Sequence, residues 1–176
     1  MSMDRPFLFA AGFALLSTVA GAAQPGPGLG RPASPAAIAA ADLSISSDGA
    51  NLPPGSGTVA RGAQVYAQKC MSCHGPDGAG GPRDRLTGGI GTLAEANRVK
   101  TVASFWPHAT TLFDYIRRAM PIQAPQSLAD EEVYSLVAYL LSVDGIVAKD
   151  AVMDAQTLPK VRMPNRDGFV RRDPKP

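Results

Sequence analysis

The sequence predicts an all-α domain with long irregular connections. Three segments place apolar residues at helical spacing. The 18 glycines and 16 prolines of the 176-residue chain cluster between and around those segments. A folded unit built this way has a thin core, and a large apolar group at its centre would complete it.

The first helix is expected over Thr58 to about Lys69, where Val59, Gly62, Ala63, Tyr66 and Cys70 share a face. Gly62 on that face would let another helix come close. The stretch from Gly75 to Gly91 is dense in glycine and proline and must be loop. A second helix fits Thr110 to Ala119, with Thr110 or Thr111 as N-cap and Leu112, Phe113 and Ile116 on one side. It stops before Pro121, whose ring disfavours helix in the residue ahead of it. The third helix is the strongest prediction. It spans Leu128 to about Val143, with Ser127 as N-cap and Asp130 three residues on. Asp130, Glu131 and Glu132 favour the positive end of the helix dipole. Val133, Leu136, Val137, Leu140 and Leu141 form the apolar stripe, and Gly145 is a natural stop.

These helices define a folded unit from Thr58 to Ala148. Ahead of it, residues 1–23 read as an export signal: Arg5, an apolar run from Phe7 to Ala20, then small residues Gly21-Ala22-Ala23. The run is short for a membrane span, and an uncleaved anchor is the alternative reading. Residues 24–57 form a linker rich in proline, glycine and alanine that buries little apolar surface on its own. Residues 149–176 form an irregular, basic tail, in which seven Lys/Arg face four Asp. Such a tail either wraps the domain or a partner, or stays disordered. The formal net charge is only +2, which implies no nucleic-acid partner.

One segment carries the chemistry. The chain's only two cysteines stand in Cys70-Met71-Ser72-Cys73, and His74 follows at once. Two thiols three positions apart can add to the two vinyl groups of a haem, and the adjacent imidazole then meets the iron. A redox dithiol leaves His74 unexplained. Zinc needs about four ligands, and Cys70, Cys73, His74 and the distant His108 would be the whole supply. A catalytic Cys–His pair lacks an orienting partner. The expected cofactor is therefore one covalent haem c, held by Cys70 and Cys73, with His74 as an iron ligand.

The sixth ligand has several candidates. Met71 lies inside the attachment motif, and Met153 and Met163 lie in the tail. Met120 sits between two predicted helices, in a turn held by Pro121, and is the expected ligand. A thioether there raises the iron's potential and suits electron transfer. The alternatives are that Met120 is merely core, that His108 gives bis-histidine ligation, or that the sixth position is open to ligands.

The domain resembles a class I c-type cytochrome. The likeness rests on Cys70-Met71-Ser72-Cys73-His74-Gly75, then Gly81-Pro82, then Met120-Pro121, then a terminal helix. It implies three to five helices with long loops around one covalent haem. It also implies that the first and last helices cross at Gly62 and Tyr66 against Tyr139, and that the Pro82 carbonyl accepts the second N–H of His74. A narrower likeness, to the haem domains that partner molybdenum sulfite and sulfur dehydrogenases, rests on Phe105 to Pro121 and on Leu158 to Phe169. His108 departs from that pattern, standing where an aromatic is expected.

The resemblance implies a periplasmic single-electron carrier, not an enzyme in itself. It would accept electrons from such a dehydrogenase and pass them to a downstream cytochrome or oxidase, with no membrane span once the signal is cleaved. A general electron shuttle and a haem protein with an open sixth site are the competing functions. Trp106 is a candidate donor to a haem propionate, with simple packing as the alternative. Arg83, Arg85, Arg117 and Arg118 could each pair with a propionate, dock an acidic partner or merely be solvated.

Overall fold

The computed structural model describes residues 29–170 and residue 172. The expected export signal lies outside the described residues. No helix among them is long and apolar enough to cross a membrane.

Among the described residues, six helices and one small two-stranded antiparallel sheet make the fold. They are α1 (Pro35–Ala41), β1 (Ser56–Thr58), α2 (Val59–Lys69), α3 (Met71–His74), α4 (Val102–Phe105), α5 (Ala109–Ala119), α6 (Asp130–Val143) and β2 (Val152–Asp154). Single 3-10 turns cover Pro76–Gly78, Thr92–Ala94 and Leu158–Lys160. The helical fold with long loops expected from the sequence is the one observed, with six helices among the described residues where three to five were expected.

Helix α6 is the centre of the molecule. Nine of its residues are buried, from Val133 to Ser142, far more than a single stripe. The reason is that α2, α5 and the two-stranded sheet all pack against it. Its start differs from expectation. Leu128 turns inward ahead of the helix, and Ala129 is the cap, its N–H donating to the Glu132 carboxylate at 3.2 Å. Side-chain reach-back from the first turn thus replaces the Ser127 cap.

Helix α2 starts where the sequence places it. Thr58 Oγ1 accepts from Arg61 N at 3.2 Å, satisfying one free N–H of the first turn. It crosses α6 at Gly62, where an added Cβ would stand 1.9 Å from Ser135 O and 2.7 Å from Tyr139 Cβ. Only glycine fits there. One turn on, Tyr66 and Tyr139 pack with ring centroids 5.2 Å apart. Helix α5 begins at Ala109, with His108 at its cap making no side-chain capping bond. The Thr110 hydroxyl, an expected cap, instead donates to Ser47 O at 3.0 Å.

The core reaches beyond Thr58 and Ala148 at both ends. Strand β2, from the tail, pairs antiparallel with β1, Gly57 opposite Met153. An added Cβ at Gly57 would stand 2.1 Å from Ser135 N, so β1 lies directly on α6. Met153, Leu158 and Met163 are 5%, 0% and 1% exposed. The tail therefore wraps the domain. Its apolar residues are too widely spaced to signal an element, yet each joins the buried core. In the expected linker, α1 is exposed throughout, but residues 45–53 lie along the domain. There Ile45 N donates to Asp114 Oδ1 at 3.1 Å, and Pro53 O accepts from Tyr134 Oη at 2.8 Å.

Candidate haem site

The attachment motif is a helical turn. Cys70 N donates to Tyr66 O at 2.9 Å, closing α2, and His74 N donates to Cys70 O at 3.0 Å, closing α3. Cys70 and Cys73 stand one turn apart, and neither forms a disulfide. After His74 the chain folds back through glycines. Gly75 has φ +73°, and an added Cβ there would stand 2.1 Å from Gly80 O. That close approach lets Gly80 N donate to His74 O and Arg83 N donate to Cys73 O, both at 2.9 Å. Two tyrosines from the helix crossing hold the same loop. Tyr66 Oη donates to Gly75 O at 2.8 Å, and Tyr139 Oη donates to the Asp77 carboxylate.

The returning loop sets the histidine. His74 Nδ1 lies 2.8 Å from Asp84 O. A carbonyl only accepts, so Nδ1 carries the proton and Nε2 keeps its lone pair for a metal. This corrects the expectation for Pro82, whose carbonyl is not the partner. The bond from Arg83 N to Cys73 O turns the chain just beyond Pro82, the Arg83 carbonyl accepts from Gly81 N, and the carbonyl after it, that of Asp84, comes to the imidazole. The bond fixes the ring's tautomer and orientation whichever carbonyl supplies it.

A cavity of about 480 Å³ opens beside the motif. Its lining brings together Cys70, Cys73, His74, Pro82, Trp106 and Met120, all six residues expected at the site. Met120 is the C-cap of α5, its N–H donating to Ile116 O at 3.0 Å. Leu112, Leu136 and Leu140, all nearly inaccessible to solvent, supply apolar wall. Trp106 packs edge-on against Tyr115, with centroids 5.5 Å apart. The size suits a large cofactor, and the lining is mostly apolar with a few polar groups, as such sites require.

The other ligand candidates fall away from the cavity. Met71 is 41% exposed, while Met153 and Met163 are buried elsewhere in the core. His108 does not line the cavity and instead faces Arg166, whose Nη1 lies 2.7 Å from its Nδ1. Arg117 pairs with Asp130 at 3.0 Å and Arg118 with Asp114 at 2.6 Å, both off the lining. Arg83 and Arg85 do line it, and they are joined by Lys100, which no sequence motif marks.

The donor set fits haem better than its rivals. No group of three or more His, Cys, Asp or Glu side chains suited to a metal ion occurs among the described residues. Burial pushes the Cys70 thiol up to about 11, the neighbouring Lys69 charge opposing and Cys73 adding to it. A thiol held that high is a poor thiolate and a poor redox nucleophile.

The cytochrome c family model matches residues 59–144. The crystal structure of the sulfane dehydrogenase SoxCD from Paracoccus pantotrophus superposes with a TM-score of 0.77, at 40% identity over 84% of this chain and 73% of that one. The chain belongs to the class I c-type cytochromes. This cytochrome's cofactor is haem c, and Cys70, Cys73 and His74 fit the family's attachment pattern. Two curated relatives are thiosulfate dehydrogenases. That of Stutzerimonas stutzeri is 31% identical over 51% of this chain and 29% of its own length. That of Allochromatium vinosum is 32% identical over 46% of this chain and 30% of its own. The cytochrome thus spans under a third of the length of those two relatives.

The sequence did not point to Asp84, because its part is played by a backbone carbonyl, which no side-chain pattern reports. Nor did it point to Lys100 or Tyr115, which tertiary folding alone brings to the cavity.

Proposed function

We propose that this cytochrome holds a single haem c through thioethers to Cys70 and Cys73, with His74 Nε2 and Met120 as the iron ligands. In this reading it works in the periplasm, exported by residues 1–23. It takes electrons one at a time from a molybdenum sulfite- or sulfur-type dehydrogenase and passes them to a downstream cytochrome or oxidase. The observation that carries the reading is the single cavity that gathers both cysteines, the oriented histidine and one methionine.

Haem c supplies reversible one-electron exchange at its iron. The chain's residues do the rest. Asp84 O holds His74 in the tautomer that can ligate. Leu112, Leu136 and Leu140 exclude water from the apolar side. Arg83, Arg85 and Lys100 offer positive charge, and Trp106 an indole N–H, for the acidic edge of the cofactor or for an acidic partner. The SoxCD likeness supports a sulfur dehydrogenase as electron donor.

The names of the two thiosulfate dehydrogenases favour a second reading, in which this chain itself oxidises a sulfur anion. One experiment separates the two. The oxidised protein is mixed anaerobically with thiosulfate or sulfite alone, and then with a molybdenum sulfur dehydrogenase added, while haem reduction is followed optically. Reduction only with the dehydrogenase present is expected. Fast reduction by the anion alone would replace the carrier reading with the catalytic one.

A further inference from the structure

The tail reaches the edge of the haem cavity, and one titratable contact holds it there. Residues 163–169 lie against residues 105–108. Asn165 Nδ2 donates to Phe105 O at 2.7 Å, and the Phe169 ring meets Phe105 edge-on at 5.2 Å. Met163, at 1% exposure, anchors the near end of this tail segment in the core. Arg166 Nη1 lies 2.7 Å from His108 Nδ1. A guanidinium only donates, so His108 Nδ1 must accept and the imidazole must be neutral. Between the two gripped residues, Phe105 and His108, sits Trp106, which lines the cavity.

We infer that His108 is a positioning residue of the haem site: neutral, it accepts Arg166 and clamps the tail over the segment that carries Trp106, and protonated, it releases that clamp. The inference rests on the reading that the cavity holds haem c. A proton taken up at Nδ1 occupies the lone pair that Arg166 uses. It leaves two donors and two positive charges facing each other across a hydrogen-bond distance. The remaining charges nearby are committed elsewhere. Arg162 and Asp167 of the tail pair with each other at 2.6 Å, and Asp114 on α5 pairs with Arg118. Asp48 of the N-terminal arm accepts from Ala50 N at 3.0 Å, and Lys100 stands over the Phe105 ring, 4.9 Å from its centroid. No carboxylate contacts His108 among the described residues, so nothing offsets the added charge.

Burial, and then the Arg166 charge, hold the His108 pKa below its ordinary value of 6.5. A histidine depressed by folding contributes stability that is fully present above that ordinary value and is lost as pH falls through its lower folded value. The clamp is therefore closed at neutral pH and opens in mild acid.

Trp106 is the only tryptophan of the chain, so its fluorescence reports on this segment alone. Emission from an indole beside a haem is strongly quenched, and movement away restores it. The test uses the full-length holoprotein, titrated from about pH 8 to about pH 5, with the haem absorption bands recorded in parallel. A reversible, severalfold rise in emission through mild acid is expected, with the haem bands unchanged. His108→Gln keeps an acceptor for Arg166 but does not titrate, and its emission should stay low throughout. Arg166→Met should emit strongly even at neutral pH. A flat wild-type titration, or the same acid rise in His108→Gln, would overturn the clamp while intact haem bands left the haem reading standing. Missing haem bands would instead refute the haem reading.

Discussion

Replacing Gly62 by alanine sets two energies of opposite sign against each other. In an open helix interior the change stabilises by about 1 kcal/mol, because alanine loses less backbone entropy than glycine. At Gly62 the new Cβ would stand 1.9 Å from Ser135 O, while real contacts almost never fall under 3.0 Å. The helices must therefore separate by about 1 Å at their crossing. Neither obstacle yields easily: one is backbone in the middle of α6, the other the Cβ of Tyr139, whose ring packs against Tyr66. Overpacking of this kind costs about 1–3 kcal/mol, and the upper part of that range, about 2–3 kcal/mol, applies where backbone must move. The net effect is destabilisation by roughly 1–2 kcal/mol, a fall in Tm of about 2–8 °C for a chain of this size. Ala67→Gly, on the exposed side of the same helix, is the control and should cost about 1 kcal/mol through propensity alone. Thermal unfolding of both variants, followed by far-UV circular dichroism, reads the two signs. A Gly62→Ala protein as stable as wild type or more so would refute the close crossing.

Two further outcomes follow from the same contacts. Truncation after Ala148 removes Met153, Leu158 and Met163 from the core, each worth about 1.5–3 kcal/mol when fully buried. The sum rivals the whole stability of a small domain, so the truncated chain should unfold at a far lower denaturant concentration or fail to accumulate; an unchanged midpoint would mean the tail does not wrap the domain. The Lys69 ammonium, bonded at 2.8 Å, holds the Glu132 carboxyl below the usual 4.5 despite partial burial, with the Ala129 N–H helping. Its folded pKa is depressed, so its contribution is complete above about 4.5 and lost as pH falls through the lower folded value. Glu132→Gln should flatten that part of the stability–pH curve, and a curve of unchanged slope would contradict the pairing.

The parts of the fold that were legible in the sequence are those where local and tertiary preferences agree. Helices α2, α5 and α6 each carry an apolar periodicity, and Gly62 and Tyr139 meet as the family likeness implied. The attachment motif was legible because its chemistry sits in five consecutive residues. Elements shorter than a periodicity were not. Helix α4 has four residues and exists because Thr101 and Ser104 cap each other, Thr101 Oγ1 accepting from Ser104 N at 3.1 Å. Backbone partners leave no trace either, which is why the histidine's acceptor proved to be Asp84 O and not Pro82 O. The tail's buried residues are separated by polar and proline residues, and only the finished helix bundle gives each its place.

The haem claim meets its most direct test in the visible spectrum of the protein exported by a host able to attach haem, oxidised and then reduced, beside that of Met120→Ala. Sharp reduced haem c bands are expected, with a ferric iron–sulfur charge-transfer band that disappears in the variant while the haem stays attached. Bands indistinguishable between wild type and Met120→Ala would contradict the ligand assignment. A protein without haem bands would contradict the account at its root.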